Sequence, residues 1–352
     1  MSTFTLTPLT SAHDTAWDEL VQGAVGGNVF QRAEWLVMLG ATDKALRVLR
    51  LGCFDEKGVL VAGQAVLYQK TWGMAVSVPF EFFYNSLLVA PAYQGRMGEV
   101  VALFAAALPH HLAFIQLELH PHQPDARPFL YAGWQVTPRY TYLWDMREPE
   151  RVWQSMNREK RREIRRVQEK YHFSVAENEA DVAEFLPLYY QTMSKFSWWP
   201  SPRWETIFQR RMAWMRGRDG CRLHLVRNQA GELIGGVATL ISREDGTAYL
   251  WRQGSADPAV VPALYWFAAN NVAACCPTVN FGGSPQPSLA RFKEYLGAVP
   301  HLHWQLKGDY SRGRVPLYHR ALSLKHRLYN IAMQGRGRDW QQWYHQAIRN
   351  KA

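Results

Sequence analysis

The 352-residue chain is 47% hydrophobic and 20% charged, a balance that excludes intrinsic disorder and, at roughly 100–200 residues per domain, leads to two domains. Forty Lys and Arg against thirty Asp and Glu give a formal charge of +10, which favours nucleic acid, a phospholipid surface or a phosphorylated small molecule as partner. Four cysteines, Cys53, Cys221, Cys275 and Cys276, none in a Cys-x-x-Cys pair, exclude a disulfide framework and a zinc site of usual spacing, and fit a reducing cytoplasm.

The first residues, MSTFTLTPLTSAHD, lack the basic and apolar regions of a secretory leader and are expected to begin the folded domain. Helical stretches over Ala16 to Gly40 precede a hairpin, Leu49 to Leu67, in which Asp55 and Gly58 supply the turn. A strand from Met74 to Val78, a helix from Met97 to Ala107 and a strand from Phe114 to Leu119 follow. The most apolar stretch, Val100 to Leu119, is interrupted by Pro109, His110 and His111, short of the roughly 20 apolar residues that span a bilayer. A strand from Arg139 to Met146 closes the first half, with a boundary near Glu148 to Arg151.

The second half opens on RVWQSMNREKRREIRRVQEKY, read as one helix because Trp153, Met156, Ile164, Val167 and Tyr171 recur at helical spacing. Its net charge over Arg151 to Lys170 is +5. Arg158, Arg161, Arg162, Arg165 and Arg166 are therefore candidates for binding RNA or another anion, against the alternative of a solvated face laced with local ion pairs. Helical stretches from Val182 to Trp214, a hairpin from Leu223 to Leu240, a strand from Thr247 to Trp251, a helix from Pro262 to Cys275 and a strand from Thr278 to Phe281 repeat the earlier order. The two hairpins align at a constant offset of 173: Gly58 with Gly231, Gly63 with Gly236, Leu67 with Leu240, and Asp55 facing Asn228. The order describes a mixed, mostly antiparallel sheet flanked by helices, an α/β or α+β domain used twice. The expected divisions are 1–149, 150–306 and a basic tail, 307–352, with a net charge of +8. That tail can lie on an anionic membrane, grip phosphates or dock back on the first domain, the last being the expectation.

The sharpest motif is NFGGSPQPSLARFKEYLG, Asn280 to Gly297. Gly282 and Gly283 let the chain turn at the end of a strand, and the helix after them presents Phe292 and Lys293. A lysine held beside glycine amides can stabilise the oxyanion of acyl transfer. No general base stands out, although His303, Glu294 and Asp309 lie near in sequence. His120 with His122 and His301 with His303 lack a third metal ligand at suggestive spacing and read as structural strand residues. The serines after Gly254 and Gly283 lack a Gly-x-Ser-x-Gly elbow, which removes hydrolases of that type.

This motif resembles the "fGG…l..FK..fGg" signature of the FemABX family, whose members carry two tandem GNAT-like domains. NVFQRAEWLVML, through Phe30, Gln31 and Trp35, is similar to that family's "F.Q...W" segment; Asn157 to Val175 resembles the helix that opens its second domain; and Tyr190, Thr192 and Lys195 resemble its "yy.T..R.G" region. The resemblance implies transfer of an aminoacyl group from aminoacyl-tRNA to an amine on a cell-envelope precursor or a peptide-like metabolite, in a cleft between the domains. It assigns Lys293 to the tetrahedral intermediate and Phe292 to shaping a channel. Lys195 falls where the family has a phosphate-binding arginine, so the charge is kept and the bidentate geometry lost. Tyr84, Gly282, Gly283, Trp251 and Arg252 complete the expected substrate-binding set. Acyl-CoA is the competing donor, but in YQGRMG, Tyr93 to Gly98, Met97 and then Glu99 occupy positions where a GNAT pyrophosphate loop needs small residues, and GSADPAVVPAL in the second half has no such loop. The expectation is a metal-free transferase, cytoplasmic or resting on the inner face of a membrane, with a non-catalytic RNA- or membrane-binding protein as the other class.

Overall fold

The computed structural model describes residues 4–324 other than 79–81, 196–201, 285, 312, 319 and 322. The first half runs β1 (Thr5–Pro8), α1 (Asp14–Gly23), α2 (Ala33–Thr42), β2 (Arg47–Phe54), β3 (Leu60–Thr71), β4 (Met74–Ser77), β5 (Leu88–Val89), α3 (Met97–Ala107), β6 (Phe114–Glu118), α4 (Arg127–Tyr131) and β7 (Gln135–Asp145). The second runs α5 (Pro149–Ser155), α6 (Arg158–Lys170), β8 (His172–Val175), α7 (Glu179–Ser194), α8 (Pro202–Arg216), β9 (Cys221–Arg227), β10 (Leu233–Ser242), β11 (Thr247–Ser255), α9 (Val261–Val272), β12 (Thr278–Gly283), α10 (Pro287–Tyr295) and β13 (Val299–Asp309).

The turn chemistry read from the sequence operates twice. Gly58 and Gly231 adopt φ of +75° and +82°, a region open to glycine. The Asp55 carboxylate accepts from the amides of Lys57 and Val59, both at 2.9 Å. The Asn228 side-chain oxygen accepts from Ala230 and Glu232 at 3.0 and 2.9 Å. Further along each hairpin a glycine receives an aromatic ring from a helix: a Cβ on Gly63 would meet Trp17 of α1 at 2.5 Å, and one on Gly236 would meet Phe185 of α7 at 2.7 Å. The repeat therefore encodes helix-on-strand contacts as well as a turn.

The described strands join one mixed, mostly antiparallel open sheet, ordered β1-β2-β3-β4-β6-β13-β7-β12-β11-β10-β9-β8, with β5 on β3. Parallel pairing occurs at β4 with β6 and at β11 with β12. Read from either edge the order is the same plan, except that the halves exchange their last strands. β7 pairs with β12, and β13 lies between β6 and β7, with Leu306 opposite Leu117 and Gln305 opposite Glu118.

Alternation along the strands fills both sheet faces. Ala65, Leu67, Ala238, Leu240, Tyr249 and Trp251 share a core with α1, α2, α7 and α8 drawn from both halves. On the opposite face, Ala62, Val66, Ile115 and Leu117 pack with α3 and α4, while Val237, Ile241, Ala248 and Leu250 pack with α5, α6 and α9. The single basic helix expected from Arg151 onward is broken in two. Met156 is extended, and Asn157 caps α6 by accepting from the Glu159 amide at 2.8 Å while its own amide donates to the Tyr295 carbonyl at 2.9 Å. An Asn N-cap outweighs continued hydrophobic spacing here. Of the basic tail, Lys307 belongs to β13, and the segment after it lies on the first half. Val315 is buried with Met74 and Val76, and Arg314 donates to the Trp72 carbonyl at 2.9 Å. Lys325 to Lys351 fall outside the described residues.

Candidate functional site

The strand exchange brings residues from both halves around a cleft of about 800 Å³ at the centre of the sheet. The parallel pair β11 and β12 is in register only over Thr247 to Tyr249 and Thr278 to Asn280. Beyond that point the strands part, and Leu250 and Trp251 on one side and Phe281, Gly282, Gly283 and Ser284 on the other form two of the walls. Tyr84 closes a third side. A smaller hollow of about 480 Å³ between α7 and α8 is edged by Glu179, Arg210 and Arg216.

Asn280 ties these walls together. Its side-chain oxygen accepts from Thr141 Oγ1 and from the Gly282 amide, both at 2.7 Å, and its Nδ2 donates to the Tyr84 hydroxyl at 2.9 Å. Burial pushes the Tyr84 phenol above its ordinary value, so it stays protonated. Its ring stands edge-on to His120 and His303, with centroids 4.9 and 5.4 Å away. Behind it, Asp245 accepts from the Tyr249 hydroxyl at 2.5 Å and faces His120 Nε2 at 3.1 Å.

Lys293 sits behind the glycine bend. Its ammonium donates to the carbonyls of Gly282 and Gly283 at 2.8 and 2.9 Å and stands 5.3 Å from the centre of the Tyr142 ring. It is 9% exposed, and burial lowers its pKa to about 8. The expected direct approach of this ammonium to a reacting carbonyl is thus replaced by contact with the bend itself. Gly282, at φ +71°, makes that bend possible.

The remaining expected residues lie elsewhere. Phe292, one position before Lys293, faces the other way, packing on Tyr265 at 6.4 Å beneath Lys160, so it does not line the cleft. Lys195 is exposed at the end of α7. Arg252 lies over the Trp251 ring at 4.5 Å and donates to the Trp251 carbonyl at 3.2 Å. The arginines of α6 lie on the outer surface: Arg161 donates to Gln154 at 2.9 Å and Arg165 covers Trp153. Arg158, Arg162 and Arg166 are exposed, with no carboxylate partner among the described residues.

Sequence reasoning missed a polar array on three adjacent strands. Gln116 and Glu118 on β6, His303 and Gln305 on β13 and Arg139 on β7 share one face and line the cleft. Glu118 Oε1 accepts from Gln116 Nε2 at 3.0 Å and Gln305 Nε2 at 2.6 Å, while Oε2 faces His303 Nε2 at 3.5 Å. The signal was present as alternation, Gln-Leu-Glu-Leu-His at 116–120 and His-Leu-His-Trp-Gln at 301–305. Among the described residues no group of three His, Cys, Asp or Glu is placed to hold a metal ion, and no helix is long and apolar enough to cross a membrane.

FemX superposes on this chain with a TM-score of 0.64 at 12% identity over 90% of this chain and 99% of that one. The chain has the tandem GNAT fold of FemX. A tandem GNAT protein from the clavulanic acid biosynthesis pathway superposes with a TM-score of 0.55 at 14% identity, covering 88% of this chain and 99% of its own. The C-terminal domain of a putative lysylphosphatidylglycerol synthetase from Agrobacterium fabrum gives 0.51 at 12% identity, with 89% and 96% covered. No family model matches the sequence, and no curated protein matches it. Within this tandem GNAT fold the cleft lies where the two units trade strands, so neither unit forms it alone.

Proposed function

We propose that the protein is an acyltransferase that forms an amide bond, moving an aminoacyl group from aminoacyl-tRNA to an amine on a cell-envelope precursor or peptide-like metabolite. The observation that carries this reading is the lysine-held glycine bend in the wall of the shared cleft. The carbonyls of Gly282 and Gly283 turn toward Lys293. A trans peptide sets N–H opposite C=O, so the amides of Gly283 and Ser284 point away from the ammonium. We assign them to the oxyanion of the tetrahedral intermediate, with Lys293 as the positioning residue that fixes their direction. Trp251, Phe281 and Tyr84 give the acyl group apolar walls.

The helix starts where a CoA pyrophosphate would meet free amides each carry a carboxylate, whose charge opposes an anion there. Asp257 accepts from the Ala259 amide at the entrance to α9, and Glu99, paired with Arg96 at 2.7 Å, occupies the first turn of α3. This favours tRNA over CoA. The free guanidinium groups of Arg158, Arg162 and Arg166 supply a phosphate-binding surface. Replacing all three by Glu is expected to weaken tRNA binding and to flatten the dependence of log affinity on log salt by about one unit for each phosphate no longer gripped. An unchanged salt slope would place the tRNA elsewhere.

The deciding experiment offers the full chain charged tRNA or acyl-CoA together with amine acceptors and follows products by mass spectrometry. Aminoacyl amides from charged tRNA are expected. Products from acyl-CoA alone would replace the donor assignment, and no amide from either would overturn the transferase reading.

A further inference from the structure

The polar array across β6, β13 and β7 plays no part in the oxyanion assignment, and its geometry is that of an acid–base site. Glu118 is rigidly held: its backbone amide donates to Asn85 Oδ1 at 2.7 Å, and Oε1 is engaged by two amide side chains. Only Oε2 is left to face His303. A carboxylate accepts and does not donate, so the proton of the His303 imidazole belongs on Nε2, toward Glu118, and the lone pair on Nδ1. His303 lines the cleft and is 7% exposed, and its Nδ1 is buried without a hydrogen-bond partner. An unanswered acceptor on a cleft-lining ring that stands beside a carboxylate can act as a general base once an acceptor amine reaches it.

Arg139 adds a charge. It pairs in register with His303 across β7 and β13, so their side chains rise on the same face, with Cβ atoms about 5 Å apart. Its Nη2 donates to Gln305 Oε1 at 3.2 Å, and among the described residues no carboxylate is within ion-pair distance. A guanidinium in a cleft wall, held by a neutral amide, suits a carboxylate or phosphate.

We infer that this array is the acceptor site: His303, oriented by Glu118, takes the proton from the attacking amine, and Arg139 grips an anionic group that the same acceptor carries. The inference rests on the transferase reading above. The nitrogen lone pair attacks the ester carbonyl carbon, and the carbonyl π pair moves onto oxygen as the C–N bond forms. The N–H proton passes to His303 Nδ1, giving an imidazolium beside the Glu118 carboxylate. Collapse of the intermediate restores the carbonyl and breaks the C–O bond to the ribose. Its electron pair leaves with the ribose oxygen, which takes the proton from His303.

The test uses the full chain, total tRNA charged with labelled amino acids and, in parallel, labelled acetyl-CoA. The acceptors are hydroxylamine, ethanolamine, glycine and O-phosphoethanolamine. Hydroxylamine is unprotonated at neutral pH and reacts with little help from a base, so hydroxamate made by the wild type above the protein-free rate tests the transferase reading by itself. If none forms, that reading and this inference fall together. With hydroxamate formed, His303→Gln is expected to lower kcat with the three alkylamines by about 100-fold or more, and with hydroxylamine by less than about 10-fold. Glu118→Gln should follow the same selectivity with a smaller loss, and the surviving hydroxamate reaction shows that each variant is folded. Arg139→Gln should raise KM for glycine or O-phosphoethanolamine, whichever anion the site takes, and leave ethanolamine unchanged. Equal losses for hydroxylamine and alkylamines, or an Arg139 variant blind to acceptor charge, would overturn the acceptor site while leaving the transferase reading intact.

Discussion

Lys293→Met is expected to reduce the unfolding free energy by about 2–4 kcal/mol at pH 7, and by more as the pH rises. The substitution removes a buried cation, which by itself is favourable, but it strips the carbonyls of Gly282 and Gly283 of their donor. Two unanswered acceptors outweigh the relief. Burial holds the folded pKa at about 8 against an ordinary 10.5, so between those values the unfolded chain binds the extra proton and wild-type stability rises with pH. Below about pH 8 both states are charged and the desolvation penalty is present in full; above 10.5 both are neutral and it is gone. The difference between wild type and Lys293→Met should therefore widen by up to about 3 kcal/mol across that window. Cys53, Cys221, Cys276, Tyr84 and Tyr249 work in the opposite direction. Their raised values keep them protonated when folded, and the stability this represents is lost at alkaline pH. Both proteins carry these groups, so they cancel in the difference. Urea unfolding of the pair from pH 7 to 10 reads it directly, and a constant gap would mean that the ammonium is hydrated. On the transferase reading the same variant lowers kcat by about 100-fold with a smaller change in KM, because a loosened bend misdirects the amides that act only on the intermediate. Lys293→Arg, which keeps a cation behind the bend, should recover part of the loss.

The elements that the sequence made legible are those fixed by local chemistry. Asp55 with Gly58 and Asn228 with Gly231 form the same turn, and the offset that aligned them also aligned the two strand glycines that receive Trp17 and Phe185. Helix α3 occupies its expected span. The cleft walls formed by Tyr84, Trp251, Gly282 and Gly283 contain residues singled out beforehand. What stayed hidden depends on pairing between distant strands. Nothing within Val299–Asp309 shows that β13 inserts between β6 and β7, yet that insertion sets His303 beside Glu118 and Arg139. Two alternating polar strands read separately look like ordinary half-buried strands, and a functional array emerges only from their adjacency. The reversal at Phe292 has a similar cause. The helix period sets Phe292 and Lys293 about 100° apart, and α10 leans on α9 and α6 by the side that carries Phe292.

Gly254→Ala is expected to be more damaging than its size suggests, with a loss of about 3 kcal/mol or more in denaturant unfolding. Gly254 lies on β11 where the backbone of α7 rests directly on the strand. An added Cβ would stand 2.6 Å from Tyr189 Cα and 2.7 Å from the Leu188 carbonyl carbon, with the Tyr189 amide nitrogen closer still. These are main-chain atoms, so no rotamer change relieves the overlap and the whole helix must move outward. That movement lifts Phe185 from Gly236 and stretches the hydrogen bond at 2.9 Å from the Ser255 amide to Thr192 Oγ1. Gly40→Ala gives the contrast: within α2 a Cβ there meets nothing within 4 Å, and the gain in helix propensity should stabilise by up to about 1 kcal/mol. Opposite signs for two identical substitutions would show that helix-on-strand contact, rather than glycine flexibility, is what Gly254 provides. A tolerated Gly254→Ala would mean that α7 is free to ride outward. Trp251, three residues earlier on β11 and stacked on Phe208 of α8 at 5.7 Å, would then be a movable wall of the cleft instead of a fixed one.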